Sequence, residues 1–358
     1  MITVTRPFIP DRRRLQHYLD KACDSAWLTN NGPLVAELTE RLEDFLAVRN
    51  LLLVANGTIA LQVAFKALAI QGEAITTPFT FVATASALKW QGITPRFADI
   101  DRQSLTLDPS CVAAAISPKT SAIVPVNVYG LPCHHNRLEQ IAREYRLKLI
   151  YDASHTFGAR HGGRSLMALG DAATMSFHAT KLFHTVEGGA ITFRDRDIFE
   201  RARKSINFGD ATPNRSDVDA LGINGKMSEI HAAFGLANLD VIDQIIQRRQ
   251  AINLEYRRLL SQDLVFSVPE DQDNVSYCPV LLPSEECTKN VIAALEASSI
   301  HARRYFSPAL HETREFGDGS QCPVASDVAR RILCLPLYPD LELAEVKRIS
   351  EIVKAALN

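Results

Sequence analysis

"LLLVANGTIALQVAFKALAI", residues 51–70, changes its hydrophobic period partway along. "LLLVAN" (51–56) is a continuous apolar run of strand length, and "TIALQVAFKALAI" (58–70) spaces its apolar residues like one face of a helix. The joint is Asn56-Gly57-Thr58. Gly57 lets the backbone turn closely, and Thr58 sets a hydroxyl and an amide at a helix N-terminus, a place that suits phosphate. Taken alone, an ordinary glycine turn with a threonine cap is the plainer account of the same residues.

The alternation continues outward. "AITTP" (74–78), "TPRFADI" (94–100), "SAIVPVNV" (121–128), "LKLIYD" (147–152) and "AATMSFH" (172–178) read as strands. Helices are predicted between them, from Thr80 to Gln91, from Pro109 to Ile116 behind the cap Asp108, and over "NRLEQIAREYR" (136–146). Short apolar strands alternating with helices predict an α/β fold, a mostly parallel sheet covered on both faces. From Met227 to Leu260 the chain reads as one unbroken helical stretch, long enough to tie two units together. Beyond it come a strand, "VSYCPVLL", and helices near "TKNVIAALEAS" and "LAEVKRISEIVKAAL". The expected division is a large unit over residues 1–245 and a smaller α+β unit over 246–358, in keeping with 358 residues in all.

Composition excludes several classes. Lys and Arg total 39 against 41 Asp and Glu, a net charge of −2, so there is no basic field for nucleic acid. Seven cysteines stand at 23, 111, 133, 278, 287, 322 and 334, with no C-x-x-C pair, which fits free thiols in a reducing cytoplasm. The opening "MITVTRPFIPDRRR" lacks the apolar core of a signal peptide, and no apolar run reaches the roughly 18 residues of a membrane span. A cytoplasmic protein is expected. Neither G-x-G-x-x-G nor G-x-x-x-x-G-K-[ST] occurs, which counts against a nicotinamide-dependent oxidoreductase and a P-loop enzyme. His134, His135, His178 and His184 supply imidazoles, but the first two are adjacent and no carboxylate or cysteine stands at ligand spacing, so no metal site is expected.

Ligands of open α/β sheets bind at the C-terminal ends of the strands. Three features stand at predicted strand ends. The first is Gly57-Thr58. The second is Asp152, closing "LIYD" and suited either to cap the next segment or to face a buried cation. The third is "SFHATK" (176–181), with Ser176, His178 and Lys181, a candidate imine-forming amine. Each alone has a plain structural explanation. Their order matches the needs of pyridoxal phosphate: a phosphate turn, a carboxylate to keep the pyridine nitrogen protonated, then a lysine for the aldehyde.

At this point the chain resembles the DegT-type sugar aminotransferases, members of the fold-type-I pyridoxal phosphate enzymes. The likeness runs nearly end to end, through "WLTNNGP" (27–33), "ANGTIALQVA" (55–64), "TPFTFVATA" (77–85), "PVNVYGLPC" (125–133), "YDASHTFGA" (151–159), "SFHATK", "EGGA" (187–190), "GINGKMSEIHAA" (222–233) and "CLPLYPDL" (334–341). The resemblance implies that Lys181 holds pyridoxal 5′-phosphate and, once released, moves a proton. It implies that Asp152 pairs with the pyridinium, that Phe81 lies against the ring, and that His155 and His178 stand near it. Gly57, Thr58 and Ser176 would bind the phosphate, with Asn224, together with Lys226, reaching it from the second subunit of a homodimer. Three departures stand out: Lys226 where arginine is common, Ile223 where tyrosine is common, and Val186 where glycine is common. Relatives with histidine in place of the lysine are dehydratases, and Lys181 counts against that activity here.

The resemblance further implies a nucleotide-linked keto sugar as amine acceptor and L-glutamate as donor. "VTRPFIP", "WLTNNGP", "FHATK" with "EGGAI", and "GINGKM" look most like transaminases making dTDP-4-amino-4,6-dideoxy-D-glucose, so dTDP-4-keto-6-deoxy-D-glucose is the expected substrate. Thr29, Asn30, Lys226 and Arg304 are the candidate sugar-nucleotide contacts. A GDP- or UDP-linked sugar, amination at C3, or a catalytically silent binding or regulatory relative are the alternatives.

Overall fold

The computed structural model describes residues 1–209, 221–269 and 274–357. Seven strands form its main sheet: β1 (Leu51–Val54), β2 (Glu73–Thr76), β3 (Thr94–Phe97), β4 (Thr120–Val124), β5 (Lys148–Asp152), β6 (Ala172–Ser176) and β7 (Gly189–Phe193). Their order is β1-β7-β6-β5-β4-β2-β3, and β7 alone runs antiparallel to its neighbours. The mostly parallel α/β sheet expected from the sequence is what forms. All the strands but the edge strand β3, which alternates exposed and buried residues, are largely buried, as sheets covered on both faces must be.

Helices α1 (Arg12–Asp24) and α2 (Pro33–Leu46) precede β1 in a segment with no sequence assignment. Leu34, Leu38, Leu42 and Leu46 of α2, spaced at one turn, fill the core. Next come α3 (Gly57–Ala67), α4 (Val82–Trp90), α5 (Pro109–Ala115), α6 (His135–Glu144) and α7 (Arg196–Ser205). Local signals place several starts: the Asn56 side chain accepts from the Ile59 amide at 2.9 Å, and Asp108 accepts from Ser110 at 2.7 Å, with Pro109 opening α5. Helix α2 is capped from far away. Its Gly32 cap has no side chain, and the buried carboxylate of Glu229 accepts from the amides of Leu34 (2.7 Å) and Val35 (3.0 Å). A Cβ on Gly32 would come within 2.5 Å of that carboxyl carbon, so only glycine admits the cap.

The single helix expected over 227–260 is two: α8 (Glu229–Leu239) and α9 (Ile242–Leu260). The break falls at Asp240-Val241, where Val241 leaves helical geometry. Asp240 is drawn aside by Arg41 at 2.8 Å and by the Tyr18 hydroxyl at 3.2 Å. The bend lets α9 serve two cores. Ile242 and Ile245 pack with the main sheet, whereas Ile252, Tyr256 and Leu260 pack in a second core. That second core lies against an antiparallel sheet of β8 (Val265–Phe266), β9 (Cys278–Leu281) and β10 (Ile332–Leu335), with α10 (Glu285–Ala297), α11 (Pro323–Arg331) and α12 (Leu343–Leu357). A further apolar cluster joins the halves, bringing Phe79 and Tyr129 against Tyr277, Phe306 and Cys334.

Candidate active site

A cavity of about 510 Å³ opens at the C-terminal ends of β1, β5 and β6, where an open α/β sheet offers a crevice. It gathers eight of the residues singled out in the sequence: Gly57, Thr58, Phe81, Asp152, His155, Ser176, His178 and Lys181. Gly57 starts α3 directly against the end of β6, and a Cβ there would lie 2.7 Å from Cβ of Ser176. Glycine therefore brings a helix N-terminus, with its partial positive charge, beside the Ser176 hydroxyl.

Asp152 is buried at the end of β5 and fully engaged. One oxygen accepts from the Thr84 hydroxyl at 2.8 Å, and the other from the Ser154 amide (3.1 Å) and hydroxyl (2.6 Å). The carboxylate caps the following turn, and it also lines the cavity that holds Lys181. His155, three residues after Asp152 and on the same wall, accepts from the Tyr129 amide through Nδ1 at 3.0 Å, which leaves Nε2 as its proton-bearing nitrogen. Burial, and then the charge of Lys181, hold this imidazole well below its usual range, so it stays neutral.

Lys181 follows β6 on a short turn, its amide bonded to the His178 carbonyl at 2.9 Å. Its amine lies deep in the cavity, 3.4 Å from the Tyr277 hydroxyl. Burial pulls the ammonium from 10.5 down to about 8, with the charge of the Asp152 carboxylate opposing the shift. A lysine so placed becomes a neutral, nucleophilic amine at a far lower pH than a free lysine does. His178 stands at the mouth, 3.6 Å from the Glu187 carboxylate.

The opposite wall comes from the C-terminal half: Tyr277, Arg303, Tyr305 and Phe306. None was legible as a site residue. Arg304, expected with Lys226 as a sugar-nucleotide contact, does not line this chain's cavity, whereas its neighbour Arg303 does. Arg303 exchanges backbone hydrogen bonds with Cys334, and in an extended segment consecutive side chains point opposite ways. Arg303 therefore lines the cavity, and Arg304 faces the Glu285 side.

Four other candidates also lie outside this chain's cavity lining. Thr29 and Asn30 belong to the loop docked on the start of α8, where the Glu229 amide donates to the Thr29 carbonyl at 2.8 Å and the Trp27 indole to that of Asn30 at 2.9 Å. Lys226 pairs with Val54 along the outer side of β1 and sets its ammonium 4.6 Å from the centre of the Phe208 ring. Asn224, beside it, is exposed. Val186, noted as a departure, holds φ at +70°, a conformation that costs a β-branched residue and explains why glycine suits the position.

The residues present suit pyridoxal phosphate on the structure's own terms. A deep amine faces a positioned carboxylate across one cavity, and a helix N-terminus with a hydroxyl closes one end. Comparison with known proteins agrees. Residues 11–354 match the DegT/DnrJ/EryC1/StrS aminotransferase family. The chain is 39% identical over 349 residues to the dTDP-4-amino-4,6-dideoxy-D-glucose transaminase of Shigella dysenteriae, covering 95% of both chains. It is 38% identical to the Escherichia coli enzyme of the same description, over 98% of both. The crystal structure of DesI in the presence of its TDP-sugar product superposes with a TM-score of 0.94 at 37% identity, over 100% of this chain and 93% of that one. With the cavity, the sheet and nearly the whole length in agreement, the chain belongs to the DegT/DnrJ/EryC1/StrS aminotransferase family.

Proposed function

We propose that this aminotransferase uses pyridoxal 5′-phosphate to move an amino group from L-glutamate to C4 of dTDP-4-keto-6-deoxy-D-glucose. The observation that carries the reading is the pair Lys181 and Asp152, set in one cavity from adjacent strands β5 and β6. The names of the relatives support the sugar, and the crystal structure with a TDP-sugar product supports the nucleotide.

When bound, pyridoxal phosphate supplies an electron sink for the pair left behind when a Cα proton is removed. Asp152 would hold the pyridine nitrogen's proton, with Thr84 and Ser154 fixing the carboxylate's orientation. The first turn of α3 at Gly57 and Thr58, with Ser176, would hold the phosphate. Phe81 and His155 would flank the ring. Lys181 would take up a proton at one carbon and return it at another, ending unchanged. His178 would stand beside the reacting groups, held by Glu187. Arg303 is the cavity-lining cation suited to the sugar's diphosphate or the donor's carboxylate.

The working unit we infer is a homodimer, with Asn224 and Lys226 completing the phosphate end of the other copy's cavity and Thr29 and Asn30 approaching its sugar. Exposed Trp27, Leu28, Leu221 and Ile223 on the flanking segments support such an interface. We place the division between the large and small units inside α9, near residue 245, and the protein in the cytoplasm, where its free thiols would persist. Among the described residues no helix is long and apolar enough to cross a membrane.

The test is a panel of 4-keto and 3-keto sugars carried on dTDP, GDP and UDP, incubated with glutamate and read by product mass and by the proton coupling at the aminated carbon. Amination at C4 of the dTDP sugar is expected. Reaction only with a 3-keto sugar, or only with a GDP or UDP carrier, overturns the substrate assignment. Turnover with another amino donor but not with glutamate overturns the donor.

A further inference from the structure

We propose that Tyr277 is a positioning residue for the transamination, its hydroxyl holding the amine of Lys181 in place, and that Arg249 acts one step behind it by fixing the segment that delivers Tyr277. The inference rests on the proposed role of Lys181 as proton carrier.

Tyr277 enters the cavity from the C-terminal half, 96 positions from Lys181 in sequence. Its hydroxyl accepts from Lys181 Nζ at 3.4 Å, the long end of hydrogen bonding, and its ring centre lies 5.8 Å from the same nitrogen. The ring itself has little freedom. It packs 4.7 Å from His155, 5.5 Å from Tyr305 and 6.0 Å from Tyr129, centre to centre. Burial keeps the hydroxyl protonated.

The backbone before it is tied on both sides. Arg249 of α9, itself buried, donates to the carbonyls of Val275 (2.7 Å) and Ser276 (2.6 Å). An arginine spent in the interior on two carbonyl oxygens is costly, since burial pulls its guanidinium down to about 10, and it needs a reason. Ser276 donates through its hydroxyl to the His155 carbonyl at 2.9 Å, and Asn274 donates to that of Phe157 at 2.5 Å. These bonds pin residues 274–276 to the loop that follows β5, which sets Tyr277 over Lys181. Without them the tyrosine would depend on the packing of the two halves alone. An amine that must meet two carbons in turn needs its stem held, because a misplacement of about 1 Å can cost a hundredfold in rate.

The experiment uses Tyr277→Phe, which keeps the ring and the packing. In the cofactor-free protein, pulse acetylation across pH 7 to 10, read at the Lys181 peptide by mass, reports the titration of the amine. The charged and titratable groups facing it are Asp152, His155, Tyr305 and Tyr277, with Arg249 behind. Loss of an acceptor for the ammonium is expected to move the midpoint below that of the wild type by about half a pH unit or more. In the cofactor-loaded enzyme kcat is expected to fall about tenfold or more, with KM for both substrates within about threefold. Ser276→Ala, a smaller cut to the same tie, is expected to shift both readouts in the same direction, and Arg249→Met to do so where it folds. An unchanged or raised midpoint, or a Tyr277→Phe enzyme with wild-type kcat, overturns the proposal. Substantial turnover by Lys181→Ala would instead overturn the role of the lysine, so the two failures are distinct.

Discussion

The two walls of the cavity were built in different ways. The floor, Gly57, Thr58, Asp152, Ser176 and Lys181, hangs on the ends of three strands within one sheet, and each residue is placed by the few residues around it. The facing wall, Tyr277, Arg303, Tyr305 and Phe306, arrives only when the C-terminal half docks against the main sheet through the cluster of Phe79, Tyr129 and Phe306. The difference teaches a division of labour. On the proposed roles, the groups that act on bonds sit on the rigid sheet, while the part that docks brings Tyr277 to position the reacting amine and Arg303 to meet what enters.

Variants can break that division. Lys181→Ala is expected to lose activity by about 10⁴-fold or more, as loss of the amine removes both the nucleophile and the proton carrier. Borohydride reduction followed by peptide mass should fix the cofactor on the Lys181 peptide of the wild type, and label on another lysine would refute the assignment. Asp152→Asn should fold normally yet lose about a hundredfold or more, mainly in kcat, the scale of one lost electrostatic partner in a closed site. Near-normal turnover would show that some other group holds the ring's proton.

Smaller effects sharpen the comparison. In the cofactor-free protein Lys181 is neutral above about pH 8, whereas in the unfolded chain it stays charged up to 10.5. The unfolded state then binds more protons, so this group's contribution to stability rises with pH across that window. Urea unfolding of wild type and Lys181→Met at both ends of the window should show the wild type gaining about 2 kcal/mol relative to the variant. Arg303→Met should raise KM for one substrate about tenfold to a hundredfold, the scale of a lost charged hydrogen bond, while Arg304→Met leaves it within about twofold. Equal effects at both positions would mean that the one-residue facing is wrong. Val186→Gly relieves a left-handed β-branched residue and should stabilise the fold by about 1 kcal/mol, measured as a rise in the urea midpoint.

How far the sequence carried follows from range. Asp108-Pro109 foretold the start of α5 because cap and helix are neighbours. Asp152 and Lys181 could be placed at strand ends because apolar runs announce where strands stop. The break between α8 and α9 could not be seen, since its cause is a carboxylate pulled by partners 199 and 222 positions away. Thr84, which holds Asp152, lies 68 positions from it with no local mark. Ser154, two residues after the aspartate, did carry a signal: a hydroxyl at that spacing commonly folds back on the carboxylate. Arg303 carried no mark of its own, since the face it takes is set by a strand partner, Cys334.

The cap that Glu229 places on α2 has a consequence for anyone recombining this enzyme with its relatives. It makes residues 27–35 and 222–233 a single transplantable unit, although almost two hundred positions separate them. A graft that imports one segment with a side chain at position 32, or the other without an acid at 229, leaves either a collision or two helix amides with no acceptor. Loop exchange aimed at a new sugar must therefore carry both segments together, or it will be judged on a helix that has lost its anchor rather than on the loop it was meant to try.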